Sequence, residues 1–444
     1  MYKGKVVQSS DSSSILHAFK RGNVNGHFRY FSMLTDNRKG LTDYYANAAG
    51  GGLRYETAKF HGFQLAISGF YVFNLGSSDF SQIDSASGQS NRYEVALFDV
   101  EYPRNRNTIA RLEEFYLKYN FKRSHVTFGR QLVNTPFINL QDGRMLPTGV
   151  EGLWAELNPT NRLKIEGGWI YAIAPRGVAQ WHTVAQSIGL YPVGVNPDGS
   201  KSGYAGQLST KGLGMFGVSL DAHRSVKVEL WNMWLENICN SSLLQIEWNR
   251  PLPAGNVLML AAQTVQQFAV GNGGNDDPNK AFIPKGAGSS TYGAKVAVRN
   301  KRWEASINYN RITSKGRYLI PREWGREPFF TFLPRERNEG LADVQAFVAK
   351  VSRNFLRGRI KMSVAGGYFQ LPDVKDFAYN KVGLPSYTQL NVDLRYQFSG
   401  IMEGLDAQLL VAGKLNGGDL HGGAKYEINK VNMTLYNLVL NYHF

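Results

Sequence analysis

The feature that most constrains this chain is a period-2 alternation of apolar and polar side chains, repeated in short segments along its length. In Phe63–Asn74 one face reads Phe63, Leu65, Ile67, Gly69, Tyr71, Phe73. In Arg162–Ile173, Leu163, Ile165, Gly167, Trp169 and Tyr171 fall on one side, with Lys164, Glu166 and Gly168 on the other. Gln389–Phe398 sets Leu390, Val392, Leu394, Tyr396 and Phe398 against Asn391, Asp393, Arg395 and Gln397. Residues two apart share one face of a strand, so each segment predicts a strand with one apolar and one wet face. A soluble sandwich also alternates, but its turns are mostly short at both ends. Here tight connections (Lys59–Gly62, Lys122–Ser124, His223–Ser225, Asn300–Arg302) alternate with long ones. The long ones include Gly76–Thr108, Val133–Thr148, Pro175–Lys211, Val270–Ser289, Ser314–Gly340 and Leu371–Tyr387. Short turns on one side and long loops on the other are the pattern of an outer-membrane barrel.

Eighteen segments are predicted: 24–34, 48–58, 63–75, 109–121, 125–132, 149–158, 162–173, 212–222, 226–236, 239–249, 256–268, 290–299, 303–313, 342–354, 359–370, 388–398, 405–415 and 430–444. An even count lets both ends meet on one side and close the wall. The expected fold is therefore all-β: a transmembrane, antiparallel, up-and-down β-barrel of 18 strands. Composition agrees, with 25 Phe, 23 Tyr, 8 Trp and 47 Gly in 444 residues. Mean hydropathy is only −0.31, as averaging over lipid-facing and water-facing side chains requires. No stretch approaches the roughly 18–20 apolar residues of a membrane-spanning helix. The last segment places Tyr436, Leu438, Leu440, Tyr442 and the terminal Phe444 on one face, resembling the signal read by the outer-membrane assembly machinery.

The formal net charge is +15, but Lys and Arg are scattered rather than run together, which argues against a nucleic-acid arm. The only cysteine, Cys239, excludes an internal disulfide and a thiolate metal cluster and is expected to be a small buried side chain. The eight histidines form no Ser-His-Asp or HExxH arrangement, so no catalytic residue, metal or cofactor is expected. Met1–Gln8 lacks the apolar core of a signal peptide, so the chain is expected to be the mature form. Residues 1–22 are expected to be a periplasmic lead-in, with a plug for the lower mouth as the rival, and 23–444 a single barrel domain.

An 18-stranded barrel encloses water, so function depends on what narrows it. The candidate constriction is Gly129–Gly149, GRQLVNTPFINLQDGRMLPTG. Phe137, Ile138, Leu140, Met145 and Leu146 suit a loop folded inward, which would aim Asp142 and Arg144 at the pore. At Pro136, Asp142-Gly143-Arg144-Met145-Leu146-Pro147 and Gly149, with Glu166-Gly167-Gly168 in the next hairpin, the chain resembles the OprD family of substrate-selective outer-membrane porins. That resemblance implies passive uptake of small carboxylate-bearing solutes past a row of basic lumen residues. The inner faces predict ten cations against eight acids, a mixed wall in which many Lys–Glu pairs would simply brace the strands. Lys295 with Arg299, and Arg359 with Lys361 and Arg395, are the better candidates for an anion path, because opposing charges are sparser there. Arg130 shares the parity of Val126 and Phe128 and belongs at the lipid-facing rim. The external segment Ser314–Gly340, rich in Arg, Glu and aromatics, could form a funnel, a salt-bridged lid or a protein contact surface. Expected partners are outer-membrane lipid and lipopolysaccharide, small anions, the assembly machinery through Phe444, and other envelope proteins. Two rivals stay open: an occluded barrel acting as a binding or scaffold subunit, and a general diffusion pore.

Overall fold

The computed structural model describes residues 11–103, 108–140 and 144–444. Eighteen strands form one closed antiparallel wall. In chain order they are β1 (Asn23–Asn37), β2 (Tyr44–Glu56), β3 (Phe63–Ser77), β4 (Ile109–Phe121), β5 (Ser124–Gln131), β6 (Gly149–Leu157), β7 (Leu163–Ala174), β8 (Leu213–His223) and β9 (Val226–Leu235). The second half comprises β10 (Cys239–Pro251), β11 (Val257–Ala269), β12 (Gly288–Arg299), β13 (Trp303–Ile312), β14 (Val344–Phe355), β15 (Ile360–Gln370), β16 (Tyr387–Gln397), β17 (Leu405–Asn416) and β18 (Met433–His443). A further two-residue strand, His182–Thr183, pairs with β7 from within the long connection that follows it.

Each strand pairs with its sequence neighbours, and β18 returns to β1 in a register running from His27↔His443 to Asn37↔Met433. The terminal residue completes the seam: Gly26 N–H donates to the Phe444 carbonyl at 2.8 Å, and the Phe444 ring stacks on Phe28 and Tyr442. Gly26 leaves room for that ring, since a Cβ would lie 2.0 Å from it unless the ring moved aside. Every predicted segment is a strand. The largest departure is β2, which starts at Tyr44 instead of 48, where Ala46 and Ala48 on its inner face are too small to advertise an alternation.

Exposed apolar side chains, among them Phe28, Leu53, Tyr71, Phe115, Phe128, Leu390 and Tyr442, form the outward belt. Their strand neighbours point inward and are buried, including Ser68, Asn308, Gln389, Asn391 and Asn437. That division is what hydrocarbon outside and polar contacts inside demand. Arg130 keeps the outward parity, paired with Glu151 at 3.0 Å and stacked under Trp181. In β4 the ladder slips between Ser68 and Gly69, so Glu113 and Glu114 both turn inward. Cys239 is buried at the start of β10.

The apolar core lies between the inner face of the wall and the long connections. It fills the long-loop half of the barrel, where Phe137, Ile138, Leu319, Trp324 and Phe329 pack on inner-face residues such as Trp231, Leu243, Val265 and Val348. Of the five apolar residues expected to turn inward, Phe137, Ile138, Met145 and Leu146 are buried, and Leu140 is half-buried.

Candidate solute path

The inner wall on the short-turn side is braced by acid–base pairs. Arg54 reaches Glu114 at 2.9 Å and Glu56 at 3.3 Å, while Lys118 holds Glu56 at 2.6 Å. Lys164 lies between Glu156 and Glu166, Lys227 holds Glu229, and Lys295 holds Glu304 at 3.0 Å. Neighbouring strands set these groups side by side, so the mixed face read from the sequence becomes a set of local pairs.

The segment between β13 and β14, residues 313–343, is held by inward-pointing side chains from five strands. Gln267 of β11 donates to the Leu319 carbonyl at 2.7 Å and accepts from Leu319 N–H at 3.0 Å. Gln263 donates to the Pro328 carbonyl, and Lys350 of β14 to the carbonyls of Phe330 and Phe332. On the far side, Gln389 of β16 donates to the Pro334 carbonyl, Lys414 of β17 to the Arg335 carbonyl, and Arg335 to Asn437 of β18. Asn310 of β13 is also buried beneath it, at 0 % exposure. A backbone gripped from β11 round to β18 crosses the lumen. Of the three expectations for this segment, a salt-bridged structure survives, but inside the barrel.

Residues 132–140 and 144–148 lie against it. Asn139 donates to the Arg326 carbonyl at 2.9 Å, and Thr148 to the Glu323 carbonyl at 3.0 Å. Arg29, on the inner face of β1, donates to the Arg144 carbonyl. Arg111, turned inward beside the β4 slip, donates to the Pro147 carbonyl at 2.6 Å and to the Pro175 carbonyl at 2.8 Å, tying two connections together.

Two cavities meet at this layer. The one toward the long loops, about 300 Å³, is lined by Arg92, Arg144, Arg176, Arg322, Arg335, Arg337 and Lys430, seven cations against the single carboxylate of Glu336. The other, about 480 Å³, presents Arg29, Arg144, Arg326, Arg335 and Arg395, five against Asp393, beside Phe31, Phe332 and Pro334. Arg144 and Arg335 belong to both.

Glu336 anchors the upper layer: it meets Arg92 and Lys414 at 3.0 Å, and Arg322 at 3.7 Å. Burial alone would raise its carboxyl, but Arg92, Lys414 and Arg322 outweigh that and hold it at about 2. Burial pushes the Glu323 and Glu327 carboxyls above their ordinary value. Burial, with Arg92 beside it, pushes the Lys430 ammonium down to about 7.

The structure separates the sequence-derived candidates. Asp142 lies outside the described residues. Arg144 is buried at the junction of the cavities, with a left-handed φ of 52°. Lys295, Lys361 and Arg395 come together around a further cavity of about 430 Å³, with Arg326 and Lys350. Arg299 instead bonds Asn249 at the short-turn end, and Arg359 bonds Ser399 in the turn before β15. Neither lines these cavities, because both sit where strands end. Arg92, Arg176 and Lys430 were not read from the sequence, and Arg326 and Arg335 only as members of the Arg-rich segment 314–340. They lie in connections, where no period assigns a face, and only the density of Arg among aromatics in 314–340 hinted at them.

A family model described as outer membrane porin, OprD family, matches residues 57–315, more than half of the chain. That span includes both runs that carried the resemblance. Among solved structures, OccK9 (OpdG) of Pseudomonas aeruginosa aligns with TM-score 0.75 at 14% identity, covering 96% of this chain and 99% of its own. OccAB4 of Acinetobacter baumannii aligns with TM-score 0.72 at 16% identity, covering 96% and 98%. OpdK of Pseudomonas aeruginosa, in a structure with vanillate, aligns with TM-score 0.69 at 14% identity, covering 96% and 99%. At these identities the likeness shows the fold. A search of curated proteins gives no match. The family match, and the closed barrel that the solved structures share, establish that this chain belongs to the OprD family of porins in the bacterial outer membrane.

Proposed function

We propose that this porin passes small carboxylate-bearing anions selectively and passively, along a route lined by arginines through the layer formed by residues 313–343, 132–140 and 144–148. One observation carries the reading: the two cavities on either side of that layer share Arg144 and Arg335, and each has far more cations than acids. A confined surplus of one charge raises the local concentration of the opposite ion. Guanidinium groups also suit a planar carboxylate, which they can hold through two parallel hydrogen bonds. Phe31, Phe332 and Pro334 supply an apolar side to the lower cavity for the carbon skeleton of a solute. The vanillate in the OpdK structure is a carboxylate of this size class. In this reading Arg144 and Arg335 form the waist, Arg92, Arg176 and Arg337 the outer approach, and Lys295, Lys361 and Arg395 the inner one. Arg299 and Arg359 stand outside the route. Phe444 at the seam suits the proposed role of the last strand as the assembly signal.

The many bonds that fix residues 313–343 across the lumen also favour a second reading, an occluded barrel serving as a scaffold subunit. Planar-bilayer recording separates the two. The channel reading expects discrete conductance steps and an anion-preferring reversal potential in a salt gradient. Absence of steps would support the scaffold, and cation preference would rule out the carboxylate route while leaving a pore.

A further inference from the structure

Residues 11–22, ahead of β1, pack against the barrel wall. Ser12 N–H donates to the Lys59 carbonyl at 2.7 Å, and Ala58 N–H to the Ala18 carbonyl at 3.0 Å, so residues 12–18 run along the turn between β2 and β3. A one-and-a-half-turn helix, α1 (Ile15–Lys20), is capped by Ser14, whose side chain accepts from His17 N–H. Its small inner residue, Ala18, is buried. Ile15, Leu16 and Phe19 lie on the opposite stripe, at spacings of three and four residues, and are 61%, 65% and 46% exposed.

What that stripe adjoins decides its environment. Phe19 stacks on Tyr55 with ring centroids 6.4 Å apart, and Tyr55 Oη donates to the Phe19 carbonyl at 2.5 Å. Tyr55 is on the outward face of β2: its ladder partners are Val24 and Ile67, both exposed members of the apolar belt, whereas its neighbours Arg54 and Glu56 point into the lumen. Gly22 allows the chain to fold onto this ring, since a Cβ there would lie 2.5 Å from it. The helix therefore sits on the outside of the barrel at its short-turn end, and its apolar stripe continues the lipid-facing surface of Val24, Leu53 and Ile67. Exposed Lys20 and Arg21 follow at its C-terminal end, placed to reach phosphate oxygens while their stems stay on apolar surface.

We propose that α1 is an interfacial membrane anchor, with Ile15, Leu16 and Phe19 inserted among acyl chains of the periplasmic leaflet and Lys20 and Arg21 on phospholipid phosphates. Short apolar stripes of this kind lie in the plane of the interface, and Tyr55 and Phe19 extend the aromatic girdle that flanks a barrel's apolar band. The anchor would hold residues 12–20 against the outside of the wall.

The test uses the full-length porin in vesicles containing only phospholipid and this protein. Nitroxide labels are placed at Leu16→Cys, at Leu53→Cys on the outward wall and at Ser81→Cys on an exposed loop; Cys239 is buried and stays unlabelled. Leu16 is exposed, so its replacement leaves the fold intact, and heat-modifiable migration on gels checks this for each variant. The proposal expects the ratio of oxygen to nickel-chelate accessibility at Leu16 to be several-fold above that at Ser81 and close to that at Leu53. A ratio at Leu16 equal to that at Ser81 places the stripe in water and overturns the proposal.

Discussion

Two parts of the inner surface use the same residue types for opposite ends. Between β2 and β4, Arg54, Glu56, Glu114 and Lys118 form a closed set in which each charge has a partner within 3.3 Å. Around the waist, Arg29, Arg144, Arg326, Arg335 and Arg395 share one lining acid, Asp393. The first arrangement cancels its own field and stiffens the wall. In the second, Arg395 meets Asp393 at 2.9 Å, while Arg29 donates to the Arg144 carbonyl and Arg335 to the Asn437 side chain, contacts that orient a guanidinium. What distinguishes a proposed path from a brace is therefore the balance of cations and acids that line it, not the number of arginines.

The largest expected effect comes from removing the layer that creates this contrast. Replacing residues 322–337 with a short glycine–serine linker is expected to raise single-channel conductance several-fold and weaken ion preference, since a barrel of this size otherwise leaves an open channel. Unchanged conductance would mean that the waist lies elsewhere. Charge reversal sharpens the comparison: Arg335→Glu or Arg144→Glu is expected to lower the anion-to-cation permeability ratio by roughly tenfold, the low end of what focused fields produce. Arg359→Glu, exposed at a turn, should leave the ratio within about twofold because solvent and salt screen it.

In the braced region, Arg54→Gln is expected to cost about 1–3 kcal/mol of stability, the usual penalty for a buried group left without its partner. Selectivity should stay unchanged, and a shift in reversal potential would blur the distinction drawn between the regions. The smallest effect concerns pH. Lys430 lines the outer cavity and gives up its proton near pH 7, well below an ordinary lysine. Raising pH from 6 to 8 removes that positive charge, so anion preference should decline modestly over this window, and Lys430→Met should abolish the decline. Glu336 stays ionised down to about pH 2. Its anchoring contribution, present above the ordinary carboxylate range, should be lost only as pH falls from that range toward 2, so in the Lys430→Met variant conductance at pH 5 and pH 7 should match.

The barrel was legible in the sequence because lipid outside and polar groups inside impose a two-residue period on every strand, from Phe63–Ser77 to the closing Met433–His443. The wall pairs were legible for the same reason, since parity put Arg54 and Glu114 on one face. The waist was read only in part. Arg144 was found through a local motif and the buried apolar residues around it. The lumen-crossing course of 313–343 was not, because a connection has no period, and its buried Trp324, Phe329 and Phe332 suit an external lid equally well until Gln267, Lys350 and Gln389 reveal what holds the backbone. The outward position of α1 was hidden likewise, since Tyr55 rather than any pattern in residues 11–22 sets it.

The most direct test of the account compares two solutes of nearly equal size that differ in one carboxylate. Liposome swelling with the reconstituted porin should be faster in glucuronate than in glucose, with the advantage shrinking in Arg335→Glu. Equal rates for the two solutes, or a faster rate for glucose, would contradict a carboxylate-selective path.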